Sequence, residues 1–154
     1  MVALGARGRA VTPTLLGRWQ TRVALLATIG LVITLIFAVV FGSAAFVFVL
    51  VYVAILGVIW DVIYIALQQL RWDRDWPAAF QVINGVTEGV FLYLVIRIIG
   101  LPGVPKDLGL GLFIAQYGLV WLSIFLWTQG PMRALYPFWR FHGGVIYPRV
   151  PRER

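Results

Sequence analysis

The sequence predicts an all-α polytopic membrane protein, a four-helix transmembrane bundle with the N-terminus and the C-terminus both cytoplasmic. Three observations carry this expectation. Hydrophobic residues make up 61% of the chain and charged residues 12%, whereas soluble domains lie near about 45–50% and 25%. No residue from 23 to 60 is charged. The arginines gather on what would be one side of a membrane.

The uncharged run covers 38 positions. As one helix it would reach roughly 57 Å, about twice the hydrocarbon thickness of a bilayer. It therefore has to hold two spans, and Gly42-Ser43 is the small polar pair at which to break it. The expected spans are 22–41 and 45–69. A charged turn follows, with Arg71, Trp72, Asp73, Arg74, Asp75 and Trp76 closed by Pro77. Its tryptophans suit the interface, and Pro77 suits a first helical turn. The third span is expected at 78–100, ended by the Gly and Pro residues of 100–105. The fourth is expected at 108–130, ended by Gly130-Pro131. The chain thus reads as a single membrane domain, with a basic segment 1–21 and an aromatic, basic tail 131–154. The first apolar run exceeds the core of a secretory signal and no small-residue cleavage site follows it, so it is expected to be retained.

Orientation follows from arginine placement. Arg7, Arg9, Arg18 and Arg22 precede the first span; Arg71 and Arg74 lie in the second connection; Arg133, Arg140, Arg149, Arg152 and Arg154 follow the fourth. The opposite side has Lys106 beside Asp107. The positive-inside rule puts both termini in the cytoplasm, and the bacterial cytoplasmic membrane is the expected location. The formal charge of +7 is read as topology rather than nucleic-acid binding, because no soluble domain carries the basic residues.

Several chemistries are excluded. The chain has no cysteine and a single histidine, His142. Disulfides, thiol redox chemistry and bis-histidine haem ligation within one chain cannot occur. No phosphate-binding loop or Ser–His–Asp set is present. No metal and no cofactor are expected, and no residue is assigned a catalytic role.

The informative residues are polar ones inside the spans. Asp61 and Tyr64, continued by Gln68, form one stripe at i, i+3 and i+7. Gln81, Asn84 and Glu88 repeat the spacing, and Gln116 and Ser123 are seven apart. Lipid cannot satisfy such groups, so the stripes should point inward. Rise per residue sets Asp61 roughly 9–12 Å and Glu88 about 15 Å from the cytoplasmic end of their spans. Gly57 falls opposite Glu88 and should let helices approach closely. Glu88, the deeper carboxyl, is expected to matter more. Such a group can tie helices together, move a proton or act as a general acid. Arg97 would sit roughly 13 Å from Glu88 along one helix, too far to pair, and should reach for the interface instead.

Two regions are candidate partner surfaces. One is the charged turn, with Arg71, Trp72, Asp73, Arg74, Asp75 and Trp76. The other is the tail, with Trp139, Arg140 and His142. The tail lacks helical periodicity and should either lie among lipid headgroups or enter a neighbouring subunit. The functional expectation is a small, non-catalytic subunit or assembly factor of a larger membrane complex. Its partners would be the bilayer and other membrane subunits or further copies of itself. The alternatives are a small proton-coupled transporter or channel unit, and a membrane enzyme acting on a lipid or isoprenoid.

Overall fold

A computed structural model describes residues 14–70, 78–142 and 144–146. It is all-helical, with four helices long and apolar enough to cross a membrane: Leu15–Val40, Ala45–Leu67, Gln81–Ile98 and Leu110–Leu135. The third has the lowest mean hydropathy, 1.3, because it carries Gln81, Asn84 and Glu88.

The first long helix has three parts: α1 (Leu15–Leu25), a π turn (Leu26–Gly30) and α2 (Leu31–Val40). It begins earlier than the sequence suggested. Thr14 caps it, its hydroxyl accepting from the Gly17 N–H at 3.1 Å, so residues assigned to a basic flank are helical. Arg18 and Arg22 therefore lie on α1 itself. Within the π turn the Leu31 N–H reaches back to the Leu26 carbonyl, five residues away, and the Thr28 hydroxyl donates to the Ala24 carbonyl at 2.7 Å.

The remaining elements are α3 (Ala45–Leu70), α4 (Ala78–Ile98), α5 (Leu110–Gln129), and two short helices, α6 (Pro131–Leu135) and α7 (Pro137–Phe141). The chain reverses at Gly42, with φ of 60°, and the Ser43 hydroxyl accepts from the Ala45 N–H. Between α4 and α5, Gly103 takes φ of 80° and sits over the Phe48 ring, where a Cβ would collide. Glycine meets both demands at once. Tyr52 fixes the same connection by donating to the Pro102 carbonyl at 2.8 Å.

The first helix packs against α3 and α5, and α4 packs against the same two. Apolar packing concentrates toward the end that holds Gly42 and Gly103. Phe46, Val49, Leu92, Ile96 and Phe113 are almost fully enclosed there. The outward faces are apolar as well: Ile36, Val39, Ile59, Val86, Ile98 and Ile114 are all more than half exposed. Soluble monomers seldom carry so large an apolar surface.

Candidate functional site

The other end of the bundle is built around a charge cluster. Arg22 of α1 points across the bundle. Its Nε donates to Asp61 Oδ2 at 3.0 Å and its Nη2 to Asp61 Oδ1 at 3.2 Å. Its Nη1 donates to Glu88 Oε1 at 3.0 Å and Oε2 at 3.3 Å. One guanidinium thus joins α1, α3 and α4. Arg18, one turn earlier, places Nη1 4.0 Å from Asp61 Oδ1. Asp61 and Glu88 are 3% and 4% exposed. The fork geometry suits arginine, which offers paired N–H donors to each carboxylate.

Glycines make room for this arrangement. A Cβ on Gly57 would run into the Arg22 guanidinium. The sequence suggested that Gly57 lets two backbones approach; its place is taken by a charged side chain instead. On α4, Gly85 receives the Trp121 indole and Gly89 the Tyr117 ring. Tyr117 also donates to the Gly85 carbonyl at 2.7 Å. Small residues here admit large side chains from the facing helix.

Tyr64 is buried, its hydroxyl 3.0 Å from the Thr87 hydroxyl. Asn84 is half-buried, and its carbonyl accepts from Thr87. Asp61, Tyr64, Asn84 and Glu88 all line one cavity of about 250 Å³. The cavity lies between α1, α3, α4 and α5 and reaches α6, α7 and Gly144.

Gln116 and Ser123 do not join this group. Gln116 is 1% exposed, and its Nε2 donates to the Thr34 hydroxyl at 3.2 Å and the Phe46 carbonyl at 2.8 Å. It ties α5 to α2 and α3 inside the apolar core. Ser123 is half-buried and lies off the cavity wall. The face of α5 toward the cavity runs through Tyr117, Val120, Trp121, Ile124, Phe125 and Thr128. It is mainly aromatic and apolar, so polarity alone selects the wrong edge of this helix.

The tail is folded onto its own chain. Trp139 donates from Nε1 to the Thr21 hydroxyl at 2.8 Å, and that hydroxyl donates to the Gly144 carbonyl at 3.0 Å. The Ile146 N–H donates to Gln20 Oε1 at 2.9 Å. Trp139, expected at a headgroup or partner surface, makes this contact with α1, and helical turns at α6 and α7 replace the expected irregular tail. Pro131 and Pro137 each open one of these short helices, as proline at a first turn does. His142 is exposed, stacked on Phe138, with Nδ1 donating to the Phe138 carbonyl at 2.9 Å. The turn residues Arg71, Trp72, Asp73, Arg74, Asp75 and Trp76, and the side chains of Gln68 and Arg140, lie outside the described parts of the structure.

Sequence reasoning missed Arg18 and Arg22 as site residues, because they were read as flank. Two signals pointed to them: Thr14 is a strong cap residue, and the arginines are one helical turn apart. Arg97 is exposed and donates to the Lys106 carbonyl at 2.9 Å; the counter-ion of Glu88 is Arg22.

Comparison with known protein families, with characterised proteins and with solved structures finds no match for this chain.

Proposed function

We propose that this chain is a small integral membrane protein, with both termini cytoplasmic, that serves as a non-catalytic subunit or assembly factor of a larger membrane complex. The observation that supports this reading is the Arg22 bridge. A carboxyl meant to shuttle protons or act as an acid must spend part of its cycle neutral, without the charge that a guanidinium partner answers. Here every oxygen of Asp61 and Glu88 accepts from one guanidinium, an arrangement suited to fixing three helices in register. The location proposed is the bacterial cytoplasmic membrane. The partners proposed are other membrane subunits or further copies of the chain, met through the apolar outer faces.

Purification in mild detergent tests this reading. A stoichiometric partner subunit, or a stable homo-oligomer, should come through with the chain. A lone monomer under conditions that preserve other membrane complexes would argue against it.

A second reading draws on the cavity, which touches both carboxylates. A proton-coupled transporter, or an enzyme acting on a lipid, would have such a space. That reading requires Arg22 to release Glu88 during turnover. Trapping of the Arg22–Glu88 pair, for example by a crosslink between α1 and α4, would then abolish activity.

A further inference from the structure

Among the described residues, three arginines line the cavity, Arg18, Arg22 and Arg133, against two acidic residues, Asp61 and Glu88. If all five are charged, the lining carries a net positive charge of one. The carboxylate oxygens are turned toward Arg22, and Asp61 also lies at ion-pair distance from Arg18. What faces an incoming molecule is therefore cationic in sign, with amide groups from Asn84 and Gln129 beside it. Gln129 is held in place by donating to Gln81 Oε1 at 3.0 Å.

The rest of the lining is of another kind, with Leu26, Val53, Val120, Trp121 and Phe125 among its residues. Trp121 and Phe125 stack with ring centroids 5.1 Å apart, giving a flat, rigid apolar surface. The cavity thus joins cationic and apolar lining in one space, which fits a molecule built the same way.

Volume narrows the choice. About 250 Å³ is just below the roughly 300–1,000 Å³ of pockets that enclose whole drug-sized ligands. A headgroup and the first carbons of a chain would fit, but a two-chain lipid would not be enclosed.

We propose that this cavity binds the acidic head of an amphiphile, a phosphate or carboxylate. The head sits on the Arg18 and Arg133 side, and the chain passes along Trp121 and Phe125 and out of the bundle. Basic pockets between transmembrane helices are suited to anionic lipid heads, and guanidinium is the side chain best matched to phosphate and carboxylate oxygens. The proposal rests on the membrane reading above; a chain that is extracted from membranes by alkaline carbonate would defeat that reading, independently of the ligand test below.

The test is native mass spectrometry of the full chain in detergent, offered equal amounts of phosphatidylglycerol and phosphatidylcholine with the same acyl chains. The expected result is at least a tenfold preference for phosphatidylglycerol, bound one per chain. Asn84→Phe fills the cavity while leaving surface arginines in place, and should remove the preference. Arg133→Gln, at an exposed position, should weaken it several-fold, and keeps the test decisive if Asn84→Phe fails to fold. Equal retention of the two lipids would overturn the proposal. Undiminished preference in folded Asn84→Phe would overturn it too, by placing the lipid on the outer surface. Displacement by inorganic phosphate, but not by chloride at matched ionic strength, would overturn it by making a soluble anion the ligand.

Discussion

Arg22 holds Asp61 at two points, through Nε and Nη2, and leaves Nη1 for Glu88. The pair is thus oriented as well as neutralised, and it ties α1 to α3.

Replacing the guanidinium should be costly. Arg22→Leu leaves two buried carboxylates without their shared cation, and breaking a buried pair in this way typically costs about 3–5 kcal/mol. Arg22→Lys should fall between the wild type and Leu, because one ammonium cannot supply the fork. Reversible unfolding in detergent would rank the three proteins. Equal stability of Arg22→Leu and wild type would remove the bridge from any account of the fold.

The two carboxylates should not be equivalent. Asp61 accepts from two guanidinium nitrogens and lies near Arg18, whereas Glu88 meets one nitrogen. Asp61→Asn should therefore destabilise more than Glu88→Gln, with a loss of about 1.5–3 kcal/mol for a hydrogen bond to a charged group. The sequence ranked Glu88 first, by depth. Unfolding midpoints of both amide variants would check the order.

Glycine positions separate into filled and open. Gly57→Val would push a side chain into the Arg22 guanidinium, and overpacking of this kind costs about 1–3 kcal/mol. Gly118 has no heavy atom near a built Cβ, so Gly118→Ala should be tolerated and serves as the control. A tolerated Gly57→Val would mean that Arg22 can leave without consequence.

Threading is testable without a structure. Eleven arginines lie on one proposed side, and Arg97 and Lys106 on the other. Reporter fusions at Ser43 and Val104 should report the exterior, and a C-terminal fusion the cytoplasm. A cytoplasmic signal at Val104 would contradict four spans.

The tail should be held by Trp139. Trp139→Phe keeps the ring but loses the bond to Thr21, worth about 0.5–1.5 kcal/mol. Limited proteolysis after α5 should then be faster. An unchanged cleavage rate would show that the tail is anchored elsewhere.

The four long helices were legible because uncharged runs and breakers act locally. Gly42 and the 99–109 connection interrupt the chain where their residue types require. The burial of Asp61 and Glu88 could be expected from the expense of placing charge among apolar side chains. Their partner could not be read in the same way. An arginine at the edge of an apolar run reads equally well as flank or as the first turns of a helix, and the choice is made by Thr14 and by three-dimensional neighbours. The placement of Gln116 was lost for a related reason. Its stripe with Ser123 is correct as helical geometry, but the cavity lies beside the aromatic residues next to it.

Arg22 and Thr34 are twelve positions apart. On an uninterrupted α-helix their side chains would diverge by about 120°. The π turn between them absorbs one additional residue, which takes back about 100°. Both side chains can therefore face the bundle, Arg22 on the carboxylates and Thr34 on Gln116. Straightening Leu26–Gly30 into regular α-helix with every residue kept would restore that divergence and swing the basic half outward, whereas deleting one residue there leaves eleven regular steps and keeps the two side chains within about 20°. The first helix thus carries one residue more than a regular helix would need, and a further insertion in that turn, unlike a single deletion, would turn one half away from its partners.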